Sequence, residues 1–70
     1  MNKLDQLHKK VNNKPKEYRK GQAYFNYLYD DNPQLANEIR GTNLDPFHRD
    51  DIIPKFLEFL IFNNYDREIN

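Results

Sequence analysis

One break limits the fold of this chain more than any other feature: Ile39-Arg40-Gly41-Thr42-Asn43-Leu44-Asp45-Pro46-Phe47. Gly41 follows a helical run, where a residue without a Cβ closes a helix C-terminus in the left-handed region at little steric cost. Four residues on, Asp45-Pro46 reads as an N-cap followed by the first position of a new helical turn, because the carboxylate accepts from free N–H groups and proline has none to leave orphaned. Leu44 and Phe47 flank the cap and are placed to plug the corner into a core, as a hydrophobic staple does. The chain must therefore turn here between two apolar helices, and Arg40, Gly41, Asp45, Pro46 and Phe47 form a structural corner over residues 40–47.

Seventy residues make one domain, residues 1–70, near the lower limit for a chain stabilised by burial alone. No cysteine is present, so neither a disulfide nor a thiolate metal site can help. The burden falls on apolar packing, on a second copy of the chain, or on both. Five Phe and five Tyr, 14% of the residues, can supply most of that burial.

Residues 1–11 read as a helix, with Asn2 as cap and Leu4, Leu7 and Val11 at helical spacing. Together with the linker to residue 14 they form a basic N-terminal segment, since Lys14 precedes Pro15 and is pushed out of helical geometry. A second helix is expected over residues 15–30, with Tyr18, Gly21, Gln22, Phe25, Leu28 and Tyr29 on the packed face and Tyr24 and Tyr27 pointing away. Gly21 costs about 1 kcal/mol relative to alanine inside a helix, and close approach by another helix backbone would explain it. Asn32-Pro33 caps and starts a third helix over residues 33–40, packed through Leu35, Ala36 and Ile39. Residues 46–49 make a single helical turn. Asp50 or Asp51 caps a last helix running to about residue 63, with Ile52, Ile53, Phe56, Leu57, Phe59 and Leu60 on its apolar face and Ile61 and Phe62 outside it. Residues 64–70 are polar and expected to fray. The expected fold is all-α, a compact bundle of four short helices.

The composition discourages most enzyme chemistry. There is no Ser or Cys, and the one Thr, Thr42, lies in the corner without a paired base, where it suits loop hydrogen bonding. Two glycines do not make a phosphate cradle. Asp30-Asp31 and Asp50-Asp51 could split their pKa values as acid and base, but each pair precedes a helix, where capping explains carboxylates better. His48 beside Asp45, Asp50 and Asp51 lacks the repeated spacing of a metal site. His8 falls at the edge of the first apolar stripe, as a surface or partly buried residue. No catalytic residue, metal or cofactor is expected. Arg40 complements the dipole of the helix it ends and is in reach of Asp45 or Asp50; a clamp for a ligand carboxylate or phosphate is the alternative.

Charge is balanced overall but divided along the chain. Residues 1–20 carry seven Lys/Arg against Asp5 and Glu17, and residues 21–70 carry four against nine acids. The two parts either attract each other within the fold or leave a basic head for an anionic partner. Nucleic acid would meet Lys9, Lys10, Lys14, Lys16, Arg19 and Lys20, with Tyr18 and Tyr24 as stacking partners, through phosphates rather than by base reading. A helix-turn-helix comparison fails on its recognition helix, which offers only Arg40 beside Glu38. The protein-binding reading rests on aromatics beyond what a thin core needs: Tyr24, Tyr27, Ile61, Phe62 and Tyr65, as anchors for a different protein or a second copy, with packing against the first helix as the alternative for Tyr24 and Tyr27. It is the favoured one. With no apolar h-region in residues 1–20 and no apolar run longer than Phe59-Leu60-Ile61-Phe62, a cytosolic, non-membrane protein is expected.

Three strings, Gly21-Gln22-Ala23-Tyr24-Phe25-Asn26, the corner, and Ile53-Pro54-Lys55-Phe56-Leu57, together resemble short uncharacterised proteins of bacteria and phages. In those, a GQ-x-x-FN helix precedes an IRGT-x-x-DPF corner and a closing IP-x-FL helix. The resemblance covers about residues 18–62 and implies a stand-alone cytosolic domain of phage or prophage origin. It brings no activity, cofactor or catalytic residue.

Overall fold

The computed structural model describes residues 2–67, and over them the chain is an all-α bundle: α1 (Lys3–Asn12), α2 (Lys20–Asp31), α3 (Pro33–Ile39) and α4 (Ile53–Phe62), the last entered through a 3-10 turn at Asp50–Ile52. α2 is the central element and packs against both α1 and α3.

Local chemistry explains where α1 and α3 start. Asn2 Oδ1 accepts from the Asp5 N–H at 2.8 Å, capping α1 and turning Leu4, Leu7 and Val11 inward. Asn32 Oδ1 accepts from Leu35 N–H at 3.1 Å, with Pro33 at the first position of α3. α2 departs from expectation. It begins at Lys20 rather than Pro15: Lys14 offers no acceptor to cap a helix there, and residues 15–18 close only a single turn through Tyr18 N–H to Pro15 O at 3.1 Å; Arg19, the N-cap of α2, has no side-chain acceptor either. The missing cap comes from 29 residues away: Asp50 Oδ1 accepts from Gly21 N–H at 2.9 Å.

That long-range cap clamps the corner loop onto α2 and explains Gly21. A Cβ there would lie 2.2 Å from the Pro46 carbonyl oxygen and 2.7 Å from Asp50 Oδ1. The close approach is thus by the backbone of the corner loop, not by another helix. The corner itself is held much as the sequence implies. Gly41 takes φ +76°, Asp45 Oδ2 accepts from Gly41 N–H at 2.8 Å, and Asp45 Oδ1 accepts from Phe47 N–H at 2.9 Å. Thr42 donates its hydroxyl to Ile39 O at 2.6 Å and accepts from Leu44 N–H at 3.2 Å. Pro46 is buried, Leu44 and Phe47 pack on the core, and Arg49 N–H to Pro46 O at 3.1 Å completes the expected single turn.

Neither acid pair caps the helix that follows it. Asp30 and Asp31 are the last residues of α2, at its negative end, where Asp31 lies 3.5 Å from Lys3 Nζ and accepts from the Tyr65 hydroxyl at 2.8 Å. Asp50 serves α2, and Asp51 pairs with Arg49 at 2.7 Å, which holds its carboxyl below the usual range, chiefly through the hydrogen bond. Asp31 and Asp50 are thus engaged by partners distant in sequence and Asp51 by Arg49 just before it, rather than by the nearest helix N-terminus.

In the segment expected to fray, residues 64 and 65 turn back onto the end of α4. Asn64 adopts φ 63°, Tyr65 N–H donates to Leu60 O at 2.9 Å, and the chain folds back so that Tyr65 is buried. Residues 68–70 of the expected tail lie outside the described residues.

Candidate functional site

On α4, Phe56 and Leu60 take the core positions. Phe62 is two residues beyond Leu60, about 200° around a helix, and so points outward. It is 86% exposed, and neighbouring Ile61 is 49% exposed. Leu44, Phe59 and Phe62, between Lys55 and Glu58, line a shallow concavity of about 420 Å³. Leaving a Phe in water forgoes roughly 1.5–3 kcal/mol of burial, a surplus that another surface can recover.

The other three expected anchors fare differently. Tyr24 is 4% exposed and does not point away from the core. α2 packs on both sides, so its apolar face is wider than one stripe, and Tyr24 meets α1, its hydroxyl 2.7 Å from His8 Nδ1. The half-buried His8 is engaged there edge-to-face, with centroids 5.6 Å apart. Burial raises the Tyr24 pKa. Tyr65, 6% exposed, is fixed by Asp31, and desolvation with that hydrogen bond pushes its pKa strongly up. Neither ring is free to anchor a partner, and Tyr24 cannot stack on a base. Tyr27 is half-buried against the core. Of the expected set, Ile61 and Phe62 are exposed, Tyr27 is half-buried, and Tyr24 and Tyr65 are buried.

The basic segment is also thinned. Arg19 donates to the Phe47 carbonyl and pairs with Asp50 at 3.7 Å, so it helps clamp the corner instead of facing an anion. Lys14 is half-buried, while Lys9, Lys10, Lys16 and Lys20 remain exposed.

A second concavity, unmarked by the sequence patterns, is bordered by Arg40, Asp45, Phe47 and His48 of the corner region. It has a volume of about 530 Å³ between α2 and the loop. Arg40 does not reach Asp45 or Asp50, whose carboxylates are taken by backbone N–H groups and Arg19. Its guanidinium lies instead over the Tyr29 and Phe25 rings, 5.1 and 5.6 Å from their centroids. Phe47 meets Phe25 edge-on at 5.9 Å, and His48 meets Phe47 at 4.8 Å. The sequence assigned Phe25 and Tyr29 to the packed face. Only their four-residue spacing hinted at a shared platform, and nothing local linked it to Arg40.

Among the described residues, no three of His, Asp and Glu converge as metal ligands, and no helix is long and apolar enough to cross a membrane. Comparison with models of protein families, with curated proteins and with solved structures returns no match in any of the three.

Proposed function

We propose that this chain is a small, non-enzymatic interaction protein that docks through the end of α4, with Phe62 as anchor and Ile61 beside it. One observation carries this: a phenylalanine 86% exposed at the end of a helix that buries Phe56 and Leu60 completely. Aromatic anchors of this kind dominate binding energy when they enter a partner's pocket. The absence of Ser and Cys from the sequence supports a non-enzymatic role. A phage or prophage accessory factor acting on a host or phage protein in the cytoplasm is the setting that the corner resemblance suggests. Capture of one defined protein, insensitive to salt and lost on Phe62→Ala but retained on Tyr65→Phe, tests the proposal. Sedimentation of the same variants tests the homodimer version. Capture and association unchanged by Phe62→Ala would overturn both.

Nucleic-acid binding is the second reading, favoured by four exposed cations, Lys9, Lys10, Lys16 and Lys20, that have no acidic partner within 4.0 Å among the described residues. Four phosphate contacts predict a slope of log affinity against log salt of roughly −3 to −4 on duplex DNA. A slope near zero removes this reading.

A further inference from the structure

We propose that the groove between α2 and the corner loop is a separate binding site, independent of the α4 surface, for a small aromatic carboxylate, with a zwitterion such as an aromatic α-amino acid as the preferred class. Its volume, about 530 Å³, falls in the range of small-molecule sites. Its walls are largely rings, with Tyr18, Tyr29 and Phe47 bordering the cavity, and these suit a flat apolar body.

Arg40 supplies the polar recognition. Its guanidinium carbon lies 5.1 and 5.6 Å from the Tyr29 and Phe25 ring centroids, and the exposed group has no carboxylate partner among the described residues. A planar fork placed in this way is pre-organised for a carboxylate, and less conformational entropy is lost for each hydrogen bond formed. The nearest candidate to quench it within the loop, Asp45, has both oxygens engaged by backbone N–H groups.

The acids on the rim set the charge of the ligand. Asp30 and Asp45 border the same groove as Arg40 and His48, so a polyanion meets repulsion there. Asp30 makes no ion pair among the described residues and is available to a ligand ammonium. Cation, ring wall and free carboxylate in one cavity match the carboxylate, ring and ammonium of an aromatic amino acid.

Titration of the full chain by amide NMR with L-phenylalanine, benzoate and inorganic phosphate tests the assignment. Phenylalanine and benzoate should shift the amides of Asn26, Gly41 and Phe47 saturably, and phosphate should not. Arg40→Gln should weaken both aromatic ligands by roughly tenfold or more, the scale of a lost charge-assisted pair. Asp30→Asn should weaken phenylalanine and leave benzoate unchanged or slightly tighter. This second variant decides the matter if Arg40→Gln unfolds, because Asp30 is an exposed residue at the negative end of α2. Absence of saturable shifts, shifts confined to α4, equal saturation by phosphate, or equal weakening of both aromatic ligands by Asp30→Asn would overturn it.

Discussion

Replacing Gly21 with alanine pits helix propensity against packing. Propensity favours the substitution by up to about 1 kcal/mol. The structure opposes it, because the added Cβ would fall 2.2 Å from the Pro46 carbonyl oxygen, a backbone atom next to a buried ring. Either α2 or the corner loop must retreat, and overpacking of this kind costs about 1–3 kcal/mol. Retreat also stretches the Gly21 N–H bond to Asp50, 2.9 Å long; with Asp50 half-exposed, its loss adds about 1 kcal/mol. The net expectation is a loss of about 2 kcal/mol from a total of roughly 4–10 kcal/mol for a domain this size. That corresponds to a fall in Tm of roughly 8–16 °C, read by circular dichroism at the helix band. Asp50→Ala should not rescue the variant, since the closer contact is with backbone. An alanine variant as stable as the parent, or more stable, would refute the close docking of the corner on α2.

Two other perturbations give distinct signatures. Gly41 has open space around its Cβ position but φ +76°, so Gly41→Ala should cost about 1 kcal/mol by strain alone, and D-alanine at 41, introduced by chemical synthesis, should be neutral or stabilising in a urea melt. Tyr65 and Tyr24 both have folded pKa values raised above the ordinary 10.0, mainly by burial, so the folded state holds their protons more tightly. Their stability contribution is complete below that value and is lost as pH rises toward the folded pKa values; alkaline unfolding monitored by tyrosinate absorbance should therefore be steep, and shallower in Tyr65→Phe.

The corner was legible because its determinants are local: Gly41, Thr42, Asp45 and Pro46 act within a few residues of themselves. The caps of α1 and α3 were legible for the same reason. What escaped depends on partners far apart in the chain. The start of α2 is set by Asp50, the burial of Tyr65 by Asp31 through a left-handed Asn64, and the second face of α2 by His8 of α1. Periodicity identifies one apolar stripe, whereas a central helix packed on two sides needs more. Hence one stripe leaves Tyr24 open between facing outward and packing against α1, where it lies, while Phe62, on a helix with one packed side, is exposed as expected. The α2 groove was hidden because Arg40 meets its ring platform only in three dimensions.

If Phe62 serves a partner, as proposed, it should add nothing to the stability of the free chain. Urea denaturation of Phe62→Ala beside Phe56→Ala addresses it directly. Phe56→Ala, at a fully buried site, should lose about 3–5 kcal/mol, and Phe62→Ala should stay within about 0.5 kcal/mol of the parent. A loss at Phe62 comparable to that at Phe56 would show the ring to be covered within the free chain, contradicting the account.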